Sequence, residues 1–173
     1  MAGFTASWVH GNAVVAQSSD LFSFEKYGWG TQIVMRPGQS CWFHIPVPTP
    51  EILDGARMQL IRAFIQLRFE GPGGILDELH LWDGDRRVAT DTDLKAAIDA
   101  DVKLPGCRTF EFYQPWVCQF GVGLSFKLAA MTKESAVYTR RDQKPTFVIG
   151  SAGAHFERVS RLREAIPRVP RLG

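Results

Sequence analysis

The clearest indication of the fold is residues 58–70, MQLIRAFIQLRFE. From Ile61 onward every second residue is apolar, and Arg62, Gln66 and Arg68 stand between the apolar positions. A period of two puts alternate side chains on opposite faces of a β-strand, whereas a helix would repeat its apolar positions every three or four residues. We therefore predict a long strand with one buried face.

Strand patterns also occur on the N-terminal side of this segment. Residues 31–36 (TQIVMR) and 40–46 (SCWFHIP) flank the turn residues 37–39, Pro-Gly-Gln, which predicts a hairpin. Residues 46–50, PVPTP, are extended and cannot join a central ladder, so they are predicted as an edge or a crossover between sheets.

A second hairpin is predicted on the C-terminal side. Residues 75–85, ILDELHLWDGD, follow the glycine-rich link 71–74 and would pair with residues 58–70. The Asp83-Gly84 turn would then lead into a short return strand at residues 86–90.

Four other segments have strand character. They are residues 7–15, 107–114, 117–128 and 144–150. In residues 117–128 the apolar face runs from Cys118 through Phe120 to Leu128. The stretch before Tyr27 is predicted as a turn, and residues 92–101 as a helix or a loop.

These elements add up to about eight to ten short strands with little helix. That pattern predicts an all-β fold, a two-sheet β-sandwich or jelly roll. We expect one domain over residues 1–156 and a basic C-terminal tail over residues 157–173, which contains five of the arginines.

Composition and charge exclude several classes of protein. With 45% hydrophobic and 22% charged residues, the chain is neither disordered nor membrane-spanning. A net charge of +2 makes nucleic acid an improbable partner. Cys41, Cys107 and Cys118 are odd in number and lack zinc-site spacing, and no secretory signal is recognised, so we expect a reduced, cytoplasmic protein. One disulfide with a free thiol is the alternative.

Several sequence blocks are recognisable as a set. They are SWVHGNAVV (7–15), YGWGTQIV (27–34), SCWFHIPVPTP (40–50), LHLWDG (79–84), FGVGLSFKL (120–128) and FVIGSAGAHF (147–156). This set resembles an uncharacterised family of small bacterial and fungal proteins, a domain of unknown function with an N-terminal Trp-Val-His-Gly motif and a Trp-Phe-His-Ile-Pro-Ile-Pro-Thr-Pro block. The resemblance implies no activity. The chain departs from it between Arg86 and Gln114 and in the arginine-rich tail.

Two histidines and a glutamate form one candidate site. His10 and His44, with Glu111, could form a cleft for general acid–base chemistry or hold a transition metal. Otherwise the two histidines are structural residues beside Trp8 and Trp42.

Closely spaced aspartates suggest a calcium loop, because Ca²⁺ takes six to eight oxygen ligands from irregular backbone. The candidates are Asp83, Asp85, Asp91 and Asp93. No EF-hand pattern is present, and Arg86 and Arg87 would compete for the same carboxylates, so a solvated acidic surface is the other interpretation. No catalytic residue, metal or cofactor is therefore predicted outright.

Aromatic residues in turns are the candidates for ligand binding. Trp29 lies between two glycines, Trp116 follows a proline, and Tyr27 is close to Trp29. Such rings could stack on sugars or other flat ligands, although tryptophans in strands more often belong to the core.

The sequence thus favours a non-enzymatic β-sandwich module that acts by ligand binding or self-association. A homo-oligomer or a protein partner is expected, and a small molecule or carbohydrate is a possible ligand. The alternatives are a small enzyme or metal-dependent protein with the histidine cleft, and a lectin-like module that binds carbohydrate or calcium.

Overall fold

A computed structural model describes residues 4–18, 20, 22–70, 73–91, 106–132 and 144–159, with residues 91 and 106–114 described by their backbone. Over these ranges the chain forms twelve β-strands. They are β1 (Thr5–His10), β2 (Val15–Ala16), β3 (Phe22–Tyr27), β4 (Gly30–Met35), β5 (Ser40–Val47), β6 (Ile52–Leu53), β7 (Ala56–Glu70), β8 (Gly74–Asp83), β9 (Arg86–Asp91), β10 (Gly106–Val117), β11 (Val122–Ala130) and β12 (Thr146–Arg158).

The strands form two antiparallel sheets. The seven-stranded sheet has the order β10-β7-β12-β4-β3, with β1 paired to β12 and β6 paired to β7. The five-stranded sheet has the order β2-β5-β11-β8-β9. The predicted all-β two-sheet sandwich is confirmed, with more strands than expected because several are only two to six residues long.

The core lies between the two sheets and is built by the alternation seen in the sequence. In β7 the buried Ala63, Ile65 and Leu67 face inward, while Gln66 and Arg68 are exposed. The largest fully buried side chains come from both sheets: Phe43, Phe126, Phe147, Phe156, Ile33, Met35, Ile45, Met58, Leu60, Ile65, Leu67 and Leu76. Burial of this apolar surface is the main stabilising contribution to the fold.

The hairpins predicted over residues 37–39 and over residues 71–74 are both wrong. β4 and β5 lie in different sheets, and so do β7 and β8, so each glycine-containing link carries the chain across the sandwich. The alternation fixes which face of a strand is buried but not which strand it pairs with. The β8–β9 hairpin at Asp83-Gly84 is confirmed.

The structure corrects two further details and shows where the last strand ends. Residues 22–27, predicted as part of a turn, form β3. The predicted strand 117–128 is interrupted before β11, and Phe120 is 71% exposed in the break rather than on the apolar face. β12 continues to Arg158, two residues beyond the predicted domain boundary at 156, and the Arg158 guanidinium lies 2.8 Å from the Asp54 carboxylate.

The N-terminal segment, predicted as a strand over residues 7–15, changes sheet at Gly11 and Asn12. A short 3₁₀ turn, Gly11–Ala13, separates β1 in one sheet from β2 in the other. The predicted helix or loop at residues 92–101 and most of the basic tail lie outside the described residues. Among the residues described, no helix has the length and apolar character needed to cross a membrane.

Candidate functional site

The outer face of the seven-stranded sheet carries an exposed aromatic surface, which begins at Trp8. Trp8, Gly153 and Phe64 are opposite one another on β1, β12 and β7. The Trp8 ring stacks on Phe64 with centroids 5.4 Å apart and an interplanar angle of 12°. A Cβ on Gly153 would lie 2.6 Å from the indole, so only glycine leaves room for it. Trp8 thereby covers Phe64 while remaining 50% exposed.

Two more rings extend this surface along the sheet. His155 stacks on Phe4 with centroids 4.7 Å apart and meets Phe64 edge-on at 4.7 Å. We call Trp8, Phe64, His155 and Phe4 the Trp8 platform. Aromatic pairs in these arrangements are favourable beyond the area that they bury, so the platform presents a continuous apolar surface with fixed geometry.

Tyr27 and Trp29 form a second aromatic platform on the same sheet, the Trp29 platform. Their rings are parallel, with centroids 4.7 Å apart and an interplanar angle of 8°, and Trp29 is 50% exposed. The Tyr27 hydroxyl donates a hydrogen bond to Glu25, which also accepts one from the Ser23 hydroxyl at 3.0 Å. These hydrogen bonds lower the pKa of Glu25, and the bond to Glu25 raises the pKa of Tyr27.

The HGN part of the N-terminal motif positions the turn that carries Trp29. The Asn12 side-chain amide donates to the Tyr27 carbonyl at 2.7 Å, and its backbone N–H donates to His10 Nδ1 at 3.2 Å. Gly11 and Gly30 both pack on the carbonyl of Ile149, where a Cβ would come within 1.9 and 2.3 Å of the oxygen. Gly30 also has a φ of +146°, which side-chain-bearing residues rarely adopt. His10 therefore has a structural role in this turn.

A shallow depression of about 170 Å³ lies beside the Trp29 platform. It is lined by Trp29, Gln66, Arg68, Val148 and Gly150. The Arg68 guanidinium lies 5.8 Å from the Trp29 ring centroid. The volume is below the roughly 300–1,000 Å³ of pockets that enclose a whole small-molecule ligand. The depression can therefore hold only part of a ligand, the rest of which would lie on the sheet.

The outer face of the five-stranded sheet is different in chemistry. His44, Ser125 and His80 are opposite one another on β5, β11 and β8, and we call them the histidine row. His44 Nδ1 lies 2.8 Å from the Ser125 hydroxyl oxygen. His80 is only 7% exposed and lies against Trp42, with ring centroids 4.6 Å apart. Burial lowers the pKa of both histidines, and the charge of Arg87 lowers the pKa of His80 further.

Two polar atoms of the histidine row and its neighbours are enclosed without a hydrogen bond among the described residues. They are His80 Nε2 and Trp82 Nε1. Glu78 Oε2 lies 3.3 Å from His80 Nε2, but the orientation of the two groups does not make a hydrogen bond. The Glu78 carboxylate is also engaged by Lys127, at 3.4 Å.

The His44–Ser125 pair lacks the surroundings of a nucleophile. Ser125 is in the middle of β11, whose backbone pairs with β5 on one side and β8 on the other. Acyl transfer needs N–H groups that point at the developing oxyanion, and here the neighbouring strands use the backbone groups. Within the row, the contact between His44 and Ser125 joins β5 to β11.

The predicted histidine cleft is not formed. His10 is exposed on the outer face of the seven-stranded sheet, whereas His44 is on the outer face of the other sheet. Glu111 is opposite Phe64 in register, on the same sheet as His10, and its side chain lies outside the described ones. The two histidines therefore point away from each other across the core.

Asp83 holds the two sheets together at one end of the sandwich. Its carboxylate accepts hydrogen bonds from Trp116 Nε1 at 2.9 Å and from the backbone N–H groups of Gln119, Phe120 and Gly121 at 2.8–3.0 Å. Burial alone would raise the pKa of Asp83, but these four donors together lower it. The four donors occupy both carboxylate oxygens and leave little capacity for a metal ion.

The remaining predicted site residues are dispersed. Trp116 lies in β10 rather than in a turn, half-buried, with the Arg86 guanidinium 4.5 Å from its ring centroid. Asp85 is exposed in the β8–β9 turn, Asp91 ends β9, and Asp93 lies outside the described residues. Within the described ranges no group of three or more His, Cys, Asp or Glu side chains is placed to hold a metal ion.

Of the predicted ligand-binding residues, the structure brings Tyr27 and Trp29 together, and sequence reasoning missed their neighbours. Trp8, Gln66 and Arg68 come from β1 and β7. The sequence contained one signal for Trp8. The alternation in residues 5–10 puts its side chain on one face of β1 and that of the partly buried Val9 on the other face. No sequence signal connects β1, β4 and β7.

The chain belongs to a family of unknown function, DUF6623, which matches residues 3–127. This result confirms the family resemblance carried by the motifs. No curated protein matches the chain.

Several solved structures are similar in fold. One is described as a carbohydrate binding module of family 29 (TM-score 0.40, 10% identity, 88% of this chain and 89% of that one). Another is a family 29 module from Piromyces equi (TM-score 0.43, 9% identity, 88% and 90%). A third is the CBM36-1 domain of a multidomain xylanase from the hindgut metagenome of Trinervitermes trinervoides (TM-score 0.39, 7% identity, 87% and 96%).

Proposed function

We propose that this member of the DUF6623 family is a non-catalytic module that binds carbohydrate on the outer face of its seven-stranded sheet. One observation supports this most directly: two tryptophans, Trp8 and Trp29, are each 50% exposed on the same face. A sugar ring has an apolar C–H face and a rim of hydroxyl groups. An exposed indole offers a flat surface to the C–H face, and neighbouring polar side chains can hydrogen-bond to the hydroxyl groups.

The rings are held in place before any ligand arrives. Trp8 lies in the space above Gly153, and the turn carrying Trp29 is anchored by Asn12 and Gly30. Association costs free energy for every side chain that must be ordered, so rings that are already fixed bind more tightly. The fixed positions of these rings support a role in ligand binding.

The floor beside the rings supplies hydrogen-bonding groups suited to hydroxyls. The Ser151 hydroxyl donates to Gln66 Oε1 at 3.1 Å, which directs the carbonyl side of that amide to Ser151. Gln66 also lines the depression, and its side-chain amide carries groups that can hydrogen-bond to ligand hydroxyls. Together with the Arg68 guanidinium, it gives the site hydrogen-bonding groups for ligand hydroxyls.

The test is affinity electrophoresis in gels that contain soluble polysaccharides of different chemistry, for example a mixed-linkage β-glucan, a xylan and a galactomannan. We expect at least one to retard the wild-type protein and the Trp29→Ala variant to bind it about tenfold more weakly. The matched control is Phe120→Ala, which removes a more exposed ring from the β10–β11 connection, away from the aromatic surface.

Two outcomes would overturn the proposal. One is equal retardation of the wild type and Trp29→Ala. The other is the absence of retardation in any gel. If light scattering then showed a dimer of the wild type and a monomer of Trp29→Ala, the rings would be assigned to contact between copies of this chain, the self-association that the sequence also favours.

A further inference from the structure

We infer that the carbohydrate is bound as an extended, uncharged chain that lies along β12 and contacts the Trp8 and Trp29 platforms together. This inference rests on the proposed function and adds the class of ligand to it: an oligosaccharide or polysaccharide segment, not a single sugar.

The spacing of the platforms follows from β12. The Trp8 platform is centred on Gly153, whereas the depression beside Trp29 is lined by Val148 and Gly150. Gly150 and Gly153 are three positions apart along β12, which at about 3.3 Å per residue is roughly 10 Å. One sugar ring cannot stack on two platforms at that separation. A short chain of linked sugars can.

Between the platforms β12 carries small side chains, which leave room for a sugar chain to pass over the sheet. β12 contributes Gly150 and Ser151 there, at the irregularity in its pairing with β7. Ser151 lies between His10 on β1 and Gln66 on β7. A glycine and a serine leave the backbone close to the surface, and the polar groups on either side suit the hydroxyl rims of a passing chain.

The charges beside the Trp29 platform favour an uncharged ligand over an anionic one. The Arg68 guanidinium lies 2.9 Å from the Glu70 carboxylate, and the Glu25 carboxylate is hydrogen-bonded only by the neutral hydroxyls of Tyr27 and Ser23 among the contacts described. A chain of uronic acids or sulfated sugars is usually held by unpaired cations. Here the cation that faces the depression already has a carboxylate partner.

The experiment is isothermal titration calorimetry with a chain-length series, from monosaccharide to hexasaccharide, cut from the polysaccharide that retards the wild type. We expect the affinity to rise steeply until the chain spans both platforms and then to level off. Trp8→Ala should weaken hexasaccharide binding about tenfold and leave disaccharide binding unchanged, whereas Trp29→Ala should weaken both. Trp8→Tyr, which keeps a ring over Gly153, should restore most of the hexasaccharide affinity and serves as the folding control.

The outcomes separate this inference from the proposed function. Equal affinity for disaccharide and hexasaccharide, or a Trp8→Ala variant that binds the hexasaccharide like the wild type, would overturn the extended-chain mode and leave carbohydrate binding intact. Tighter binding of a polyuronate than of the neutral chain would overturn the uncharged class. If neither polysaccharide nor oligosaccharide bound at all, the proposed function itself would fail.

Discussion

The two outer faces of the sandwich contain similar residue types but use them in opposite ways. On the seven-stranded sheet, Trp8 and Trp29 are half exposed, and Gly153 makes space for the Trp8 ring. On the five-stranded sheet, Trp42 lies against the buried His80, and polar side chains pair with one another. The outer face of the seven-stranded sheet exposes aromatic rings to solvent, whereas that of the five-stranded sheet encloses them.

This difference shows that residue type alone does not make a binding surface. Tryptophan and histidine alternate with core residues in β1, β5 and β8 alike. What distinguishes the faces is the packing around each ring. Gly153 next to Trp8 lets that ring lie flat and half exposed. On the other face Trp42 and Trp82 contact His80, and the Trp82 indole nitrogen is buried although Gly123 lies opposite it.

The largest effect on stability is expected at Asp83, which joins the two sheets. Asp83→Ala removes the acceptor of four donors that join β8 to β10 and to the β10–β11 connection. Buried donors without a partner are costly, so we expect the free energy of unfolding to fall by about 3 kcal/mol. Chemical denaturation measures it. Asp85→Ala, an exposed neighbour, should change it by less than about 0.5 kcal/mol.

The next largest effect should distinguish the aromatic surface from the rest of the sheet. Gly153→Ala places a Cβ 2.6 Å from the Trp8 ring and 2.8 Å from the Ser7 carbonyl oxygen. Overpacking of this kind costs about 1–3 kcal/mol, and the displaced indole should weaken binding of long oligosaccharides. Gly28→Ala, where no atom lies within 4 Å of the added Cβ, is the matched control. Equal thermal stability of the two variants would contradict this account of Trp8.

A smaller effect is expected in the histidine row. Ser125→Ala leaves His44 Nδ1 without its partner at 2.8 Å and should cost about 1 kcal/mol, with no change in carbohydrate affinity. Ser151→Ala removes an exposed hydrogen bond to Gln66 and should do the reverse, weakening binding slightly at unchanged stability. A loss of carbohydrate affinity in Ser125→Ala would show that the two faces are coupled.

The smallest effect concerns pH. Burial lowers the pKa of His44 and His80 in the folded state, so the neutral form of each is favoured by folding. Their contribution to stability is complete above the unfolded pKa of about 6.5 and is lost as the pH falls through the lower folded pKa. We expect the melting temperature to decrease between pH 7.5 and 5.5, and His44→Gln to reduce that decrease. An identical pH dependence in the variant would contradict the assignment to His44.

Much of the fold could be predicted from local patterns. The alternation in residues 58–70 predicted β7 and its buried face, and Asp83-Gly84 predicted the β8–β9 turn. The two hairpins over residues 37–39 and 71–74 failed, because a short glycine-containing link is compatible both with a hairpin and with a crossover to the facing sheet.

The candidate site was predictable only in part. Trp29 and Tyr27 were identified because a tryptophan between glycines indicates an exposed turn, and the same reasoning placed Trp116 in a turn that does not exist. Trp8 and Gln66 were not identified, since each lies in a strand with ordinary alternation.

The sequence by itself determined that this protein is an all-β sandwich and which side of most strands is buried, because side chains alternate with a period of two and apolar ones are excluded from water. Only the tertiary structure decided which strands are neighbours. Backbone hydrogen bonds are the same for every residue type except proline, so pairing depends on how the whole core is filled. That pairing brings Trp8, Gln66 and Trp29 onto one surface and separates His10 from His44.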